Sequence, residues 1–161
     1  MRILGVDPGS VVTGWGVIER RGNRLVGVAA GVIRARSSTP FPTRLHRIHE
    51  ALTVLLAEHR PDAFAIEDVF QAKFARSALK LGQARGVALL AAAQAGLPIG
   101  EYAPSLVKRT ITGRGQADKN QVAHLVGAIL GWKTLPELDA SDALAIAITH
   151  AQASRAQPLA S

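Results

Sequence analysis

The chain has no cysteine among its 161 residues. Disulfide bonds and thiolate metal sites are therefore excluded, and the absence is compatible with a reducing, cytoplasmic location, which we expect. Long apolar runs are absent too. The longest, residues 86–93, falls far short of the ~20 residues that a membrane-spanning helix needs, so we expect no membrane partner. No signal peptide is expected either, because a strand pattern begins almost at Met1.

Acidic residues are also scarce, with 12 Asp and Glu against 19 Lys and Arg and a net charge of +7. The excess is uneven. Residues 73–119 carry eight basic and two acidic groups, whereas residues 1–72 carry nine and seven, and residues 120–161 carry two and three. Such a concentration of positive charge in the middle third favours an anionic partner and indicates a surface that contacts phosphates.

Apolar segments with two different periodicities alternate along the chain and predict one α/β domain over residues 1–151. Residues 152–161 are expected to form a disordered tail. The predicted strands are 2–7, 13–19, 25–35, 63–67 and 99–102. The predicted helices are 43–59, 77–95, 104–110, 119–130 and 139–151.

The order of these elements predicts the fold class. Three strands form an antiparallel meander, and the remaining strands alternate with helices. We expect a mixed five-stranded sheet with helices on both faces, the arrangement of the ribonuclease H-like fold.

Four of the few carboxylates stand beside the most apolar segments. Asp7 and Glu67 each end a buried strand, and Asp139 and Asp142 lie three residues apart at the start of the last helix. If the two strands are neighbours, both acids project from the same sheet edge, and the helix can bring its acidic start alongside. Four carboxylates without cysteine favour Mg²⁺ or Mn²⁺.

Each acid also has a purely structural interpretation. Asp7 precedes a Pro-Gly-Ser turn, and Glu67 can be a solvated strand end. Asp139 as N-cap with Asp142 at the third helical position forms a pair that resembles a capping box. His124 and His150 are left out of the site, because single helical histidines are more often structural.

Several motifs, taken in their order along the chain, resemble the RuvC family of bacterial crossover junction endonucleases. The resemblance runs from about residue 2 to 151. It rests on Asp7-Pro-Gly-Ser, Thr13-Gly-Trp-Gly, Ala65-Ile-Glu, Val69-Phe, residues 77–86, Val107-Lys and Asp139-x-x-Asp-Ala-Leu-Ala. Each motif is weak alone, but all of them in this order are specific.

The resemblance implies roles for individual residues. Asp7, Glu67, Asp139 and Asp142 would be the catalytic acids that bind two Mg²⁺ ions, for which Mn²⁺ can substitute. Some members carry histidine where Asp139 stands, so an aspartate there is not uniquely required. Phe70 would stack on a base near the junction centre, although it could also be a core residue. Further DNA-binding candidates are Lys73, Arg76, Lys80, Lys108, Arg114 and Lys119.

The family also implies partners and a reaction. We expect a homodimer that nicks two opposed strands of four-way junction DNA and leaves 5′-phosphate and 3′-hydroxyl ends, with the RuvA–RuvB branch-migration complex as a further partner. Small residues in helix 77–96 provide a candidate dimer face, but they can equally pack on the chain's own sheet. Two rival functions are an actin-like sugar or acetate kinase, which needs two such domains, and a catalytically silent junction-binding protein.

Overall fold

A computed structural model describes residues 1–68, 75–134 and 136–156. The strands are β1 (Arg2–Asp7), β2 (Val12–Arg21), β3 (Arg24–Arg34), β4 (Ala63–Glu67) and β5 (Ile99–Tyr102). The helices are α1 (Phe41–His59), α2 (Ala75–Gln94), α3 (Pro104–Thr112), α4 (Lys119–Leu130) and α5 (Leu138–Ala156).

The five strands form one mixed sheet in the order β3-β2-β1-β4-β5. β2 pairs antiparallel with both β1 and β3, whereas β1–β4 and β4–β5 are parallel pairs. The predicted meander and mixed sheet are thereby confirmed. Because β1, β3, β4 and β5 all run in one direction, their carboxyl ends meet at a single edge of the sheet.

Helices cover both faces of the sheet. Alternate side chains of the central strands enter different cores, as the period of two in a strand requires. Ile3 and Ala65 pack with α3, α4 and α5, whereas Leu4, Phe64 and Ile66 pack with α1 and α2. β1 and β4 are buried on both faces, which is why their sequences are continuously apolar.

Helix α5 lies unusually close to the sheet because glycines face it. A Cβ atom added to Gly5 would overlap the carbonyl oxygen of Ala143, and one added to Gly14 would overlap that of Asp139. Residues 143–148 of α5 are all buried, so the helix is apolar around most of its circumference. This close approach fixes where the first turn of α5 lies relative to the end of β1.

Both ends of α5 differ from the prediction. The helix begins at Leu138, and the Ser141 amide donates to the Glu137 carbonyl, 3.0 Å away. Asp139 therefore lies inside the first turn, and its interpretation as the N-cap of a capping box is wrong.

At its carboxyl end, α5 continues to Ala156, so residues 152–156 are helical and do not belong to the predicted tail. The last turn is held by β2, where the Arg20 guanidinium donates to the Ala151 carbonyl and to Ser154 Oγ. Residues 157–161 lie outside the described part of the chain.

The other helices begin at or before the predicted residues. α1 starts at Phe41 and not at Thr43, because Pro42 is tolerated in the first turn, where its missing amide costs nothing. α2 starts at Ala75, and α3 extends to Thr112. α4 begins as predicted, with the Asp118 carboxylate accepting from the Gln121 amide at 2.9 Å. Among the described residues, no helix is both long enough and apolar enough to cross a bilayer.

The close contact between Gly5 and α5 predicts that a methyl group added at Gly5 lowers the stability of the fold. Gly5→Ala should destabilise the fold by about 1–3 kcal/mol, because either α5 or β1 must shift to relieve the overlap. Urea unfolding monitored by circular dichroism measures this. Gly115→Ala is the control, since an added Cβ there meets nothing within 4 Å. Equal stability of the two variants would contradict the close packing.

Candidate metal centre

Three carboxylates meet at the edge of the sheet where the parallel strands end. One carboxylate oxygen from each of Asp7, Asp139 and Asp142 lies within 4.8 Å of the other two. Asp7 is the last residue of β1, and the two other aspartates lie three residues apart on one face of the first turns of α5. The glycine contact between Gly14 and Asp139 holds the helix start against this edge.

Glu67 joins the group from the neighbouring strand. It ends β4, which pairs in parallel with β1 through Val6 and Ile66, and its carboxyl group shares a hydrogen bond with that of Asp7. Glu67 is not one of the three acids with mutually close oxygens. It lines the same cavity of about 290 Å³ as Asp7 and Asp142. The structure therefore brings all four predicted acids to one edge of the sheet.

The acids disfavour one another's charge. Burial, followed by repulsion from Glu67, Asp142 and Asp139, raises the pKa of Asp7 from an ordinary 3.8 to about 8. The pKa values of Glu67 and Asp142 are also raised, each chiefly by burial. Two carboxyl groups can share a hydrogen bond only if one keeps its proton, so Asp7 and Glu67 together hold one proton when they make this bond.

This donor set fits a divalent cation. Half-buried carboxylate oxygens from two strands and one helix are the ligands that Mg²⁺ and Mn²⁺ prefer, and a cation would replace both the shared proton and the mutual repulsion. Asp7, Asp139 and Asp142 can hold one ion between them, and Glu67 extends the set on the side of β4.

Two lysines complete the wall of this cavity. Lys119 Nζ lies 3.4 Å from a carboxylate oxygen of Asp142, which raises the pKa of the lysine and keeps it charged. Lys108 lines the cavity from α3, and its charge offsets part of the rise that burial causes in the pKa of Glu67. Both lysines are among the DNA-binding candidates that the family resemblance implies. A phosphate at the acidic cluster would meet them.

Three of the remaining DNA-binding candidates are among the described residues, and none of the three lines the acidic cavity. Arg76, in the first turn of α2, and Arg114, in the loop after α3, are exposed and do not line the acidic cavity. Lys80 Nζ stands 5.8 Å from the centre of the Phe41 ring. Phe70 and Lys73 lie outside the described residues.

Sequence reasoning missed Arg85 as a support for this edge. Its Nε donates to the main-chain carbonyl of Glu67 at 3.1 Å, and its guanidinium pairs with Glu101 at 2.6 Å and Asp68 at 3.6 Å. The arginine crosses from α2 to the ends of β4 and β5, so it holds the backbone that carries Glu67. In the sequence it is one cation of a basic stretch, and a separation of 18 residues gives no signal of the contact.

The histidines that were left out lie away from the acids. His150 Nδ1 lies 2.7 Å from the Tyr102 hydroxyl, and burial lowers the pKa of this histidine. His124 is exposed on α4. Neither is part of the cluster of close carboxylate oxygens found among the described residues.

Comparisons with known proteins agree on one family. Residues 3–150 match the family model described as crossover junction endodeoxyribonuclease RuvC. The RuvC protein of Geobacter metallireducens is 52% identical over 151 residues, which cover 94% of this chain and 92% of the relative. The RuvC protein of Sorangium cellulosum is 54% identical over 153 residues, which cover 95% of this chain and 86% of the relative.

Solved structures give the same result. Thermus thermophilus RuvC is 38% identical and superimposes with a TM-score of 0.86 over 96% of both chains. The same protein in complex with a Holliday junction substrate superimposes with a TM-score of 0.90, and the match covers 96% of this chain and 95% of the other. The yeast mitochondrial resolvase Ydc2, at 13% identity and a TM-score of 0.62, covers 91% of this chain and 77% of its own, and it shares the fold alone.

The raised pKa of Asp7 predicts how stability depends on pH without metal. Its folded pKa of about 8 lies above the unfolded value of 3.8, so the proton favours the folded state and stability falls as pH rises between these values. In chelator, the free energy of unfolding should fall from pH 5 to pH 8, and Asp7→Asn should reduce this fall by on the order of a few kcal/mol.

Urea titrations at the two pH values measure this difference. Glu58→Gln, an exposed residue of α1 outside the cluster, is the control and should keep the wild-type pH dependence. If Asp7→Asn also keeps it, the crowding of the acids does not penalise the fold.

Proposed function

The chain belongs to the RuvC family of crossover junction endodeoxyribonucleases, and from this premise we propose that it hydrolyses phosphodiester bonds in four-way junction DNA. One observation carries the proposal. Three carboxylates with oxygens within 4.8 Å of one another share an edge with Glu67, and two lysines line the same cavity. Such a site holds cations and a phosphate together. The family premise defines the DNA as a Holliday junction.

Asp7, Glu67, Asp139 and Asp142 are the proposed metal ligands, and Mg²⁺ is the proposed metal, with Mn²⁺ able to replace it. Two ions held there would activate water and stabilise the leaving oxygen of an in-line displacement, which gives 5′-phosphate and 3′-hydroxyl ends. The chain's own contribution is to hold the four carboxylates at one edge through β1, β4 and α5.

Lys108 and Lys119 have a positioning role in this proposal. Both line the acidic cavity, and Lys119 is 65% exposed although it pairs with Asp142. A lysine whose side chain is mostly exposed can contact a DNA phosphate while it stays close to the carboxylate. The lysines would therefore place the scissile phosphate against the acids and offset its charge.

A homodimer is proposed from helix α2. Its small residues divide between two faces: Ala84 and Ala88 are buried in the core that α2 shares with α1 and the sheet, whereas a Cβ atom added to Gly82 or Gly86 meets nothing within 4 Å. The glycine face also exposes Leu79 at 64% and Leu90 at 51%. One face of the helix thus packs within the chain, and the exposed face with Gly82 and Gly86 suits a second copy of the chain.

A two-fold dimer matches the approximate two-fold symmetry of a four-way junction, so two active sites can nick opposed strands symmetrically. We place this activity in recombination and repair, with RuvA–RuvB as the partner that moves the branch point. The proposed location is the cytoplasm, where bacterial chromosomal junctions form. A nicking assay with a synthetic junction separates the proposal from a silent binding protein, and ATP turnover would identify a kinase.

Replacing Asp7 tests the metal centre. Asp7→Asn removes one ligand and one negative charge, so nicking of a four-way junction in Mg²⁺ should fall by at least three orders of magnitude while junction binding persists. Glu58→Gln should nick as the wild type does. Full cleavage by Asp7→Asn would exclude the carboxylate cluster as the catalytic site.

Phe70 is the proposed base-stacking residue. Phe70→Ala should lower the cleavage rate and leave binding to plain duplex arms unchanged, because a stacked base is worth about 1–3 kcal/mol only where bases are unpaired. Phe70→Trp, which keeps an aromatic face, should restore most of the rate.

A fluorescent base analogue at the junction centre reports the unstacking directly. Its signal should rise with the wild type and with Phe70→Trp but not with Phe70→Ala. Equal loss of arm binding and cleavage, together with a lowered melting temperature, would make Phe70 a core residue instead.

A further inference from the structure

A second cavity at the same end of the molecule is lined by seven residues, four of which are arginines. Its volume is about 390 Å³, and it lies between the end of β3 and the start of α1. Its polar lining residues are Arg34, Arg36, Thr39, Thr43, Arg44 and Arg47. No carboxylate is among the residues that line it, so the space is one of concentrated positive charge. We refer to it as the arginine cavity.

Little of this charge is neutralised within the chain. Arg34 pairs with Glu137, which precedes α5. Among the described residues, Arg36, Arg44 and Arg47 have no carboxylate partner. Arg47 donates instead to the main-chain carbonyl of Arg34, at 2.6 Å. The cavity therefore carries a net positive charge, which favours the binding of an anion.

The start of α1 also favours an anion at this cavity. The helix has 19 residues, no side chain caps its first turn, and no acidic residue lies there. Pro42 has no amide hydrogen and the Arg44 amide is bonded to Pro40, but the amides of Phe41 and Thr43 and the positive end of the dipole remain available to an anion. Thr43 is exposed in this turn and can donate through its hydroxyl.

Arg44 provides an independent observation. This arginine is only 6% exposed, its guanidinium lies 4.8 Å from the centre of the Phe41 ring, and one of its nitrogens donates to the Ser10 carbonyl at 3.0 Å. Its Nε is buried and has no hydrogen-bond partner. A buried guanidinium with an unsatisfied donor is costly, unless an anion in the cavity that it lines compensates the charge.

The arginine cavity faces the same edge of the sheet as the carboxylates. Asp7 lies opposite Gly14 on β2, and Gly14 lies opposite Val32 on β3, two residues before Arg34. Two strand spacings separate these positions, about 10 Å. A DNA backbone that crosses this edge can therefore reach both sites within a few phosphates.

We propose that the arginine cavity binds a backbone phosphate of the DNA, a few nucleotides from the phosphate at the acidic cluster. The cavity is then a second anchor that sets how the strand crosses the sheet edge. This inference rests on the proposed junction-cleaving function. The ligand chemistry is a phosphate group, and its two conceivable sources are DNA and free inorganic phosphate.

Salt dependence of binding tests the site, with Arg36→Ala as the probe. Arg36 is exposed and has no side-chain hydrogen bond or ion pair among the described residues, so its removal should leave the fold intact. The dissociation constant of a fluorescent four-way junction is measured in chelator between 50 and 200 mM salt. Arg36→Ala should bind more weakly and reduce the slope of log K against log salt by about 0.9, which is the loss of one phosphate contact.

Arg24→Ala is the matched control. Arg24 is also exposed, and its replacement removes the same charge. It lies at the start of β3, however, at the opposite edge of the sheet. It should keep the wild-type slope, and Arg36→Lys should restore most of the slope lost in Arg36→Ala. An unchanged slope in Arg36→Ala, or an equal fall in Arg24→Ala, would overturn the proposal, because net charge alone would then explain binding.

Two further measurements distinguish DNA from free phosphate as the ligand and separate a failure of this inference from a failure of the proposed function. If inorganic phosphate raises the melting temperature of the wild type but not of Arg36→Ala, while the DNA slopes are equal, the site takes free phosphate and the DNA assignment is wrong. Preference for junction over duplex is measured in the same titrations. Loss of that preference in the wild type would count against the proposed function, whereas equal slopes with the preference intact would count against the arginine cavity alone.

Discussion

Repulsion among the carboxylates at one sheet edge is the constraint on which this structure depends. Asp7, Asp139 and Asp142 crowd together beside Glu67. Burial, followed by repulsion from these neighbouring acids, raises the pKa of Asp7 to about 8. A fold selected only for stability would separate these groups or replace one of them. The rest of the molecule has to hold them in place against this repulsion and supply the positive charge that offsets it.

Backbone packing, more than side-chain pairing, holds the acids together. Parallel pairing sets the end of β4 beside the end of β1, and glycines let α5 approach until its backbone touches the sheet. These contacts are stiff, because close-packed backbones cannot move apart without losing the buried surface of α5. Arg85 supports the arrangement from α2 by binding the Glu67 carbonyl. The site is therefore built on rigid elements and not on loops.

Much of this was predictable from sequence, for reasons visible in particular residues. β1 and β4 were predicted with their observed bounds, because strands buried on both faces are continuously apolar and end abruptly at Asp7 and Glu67. The role of Asp139 as an N-cap was wrong, because helix starts depend on which carbonyl accepts the first bond, here that of Glu137. Arg85 and the arginine cavity were missed, since both depend on contacts between segments that sequence spacing does not encode.

Charge counted along the sequence placed the basic excess in residues 73–119, but the fold distributes positive charge differently. Lys108 and Lys119 from that stretch do line the acidic cavity. Arg36, Arg44 and Arg47 come from a stretch with nearly balanced charge, yet its acids do not line the arginine cavity. Cations thus flank the carboxylates on two sides, along the face of α3 and α4 and along that of α1. A polyanion that crosses this edge meets positive charge before and after the acids, which lowers the electrostatic cost of bringing phosphates to a negative site.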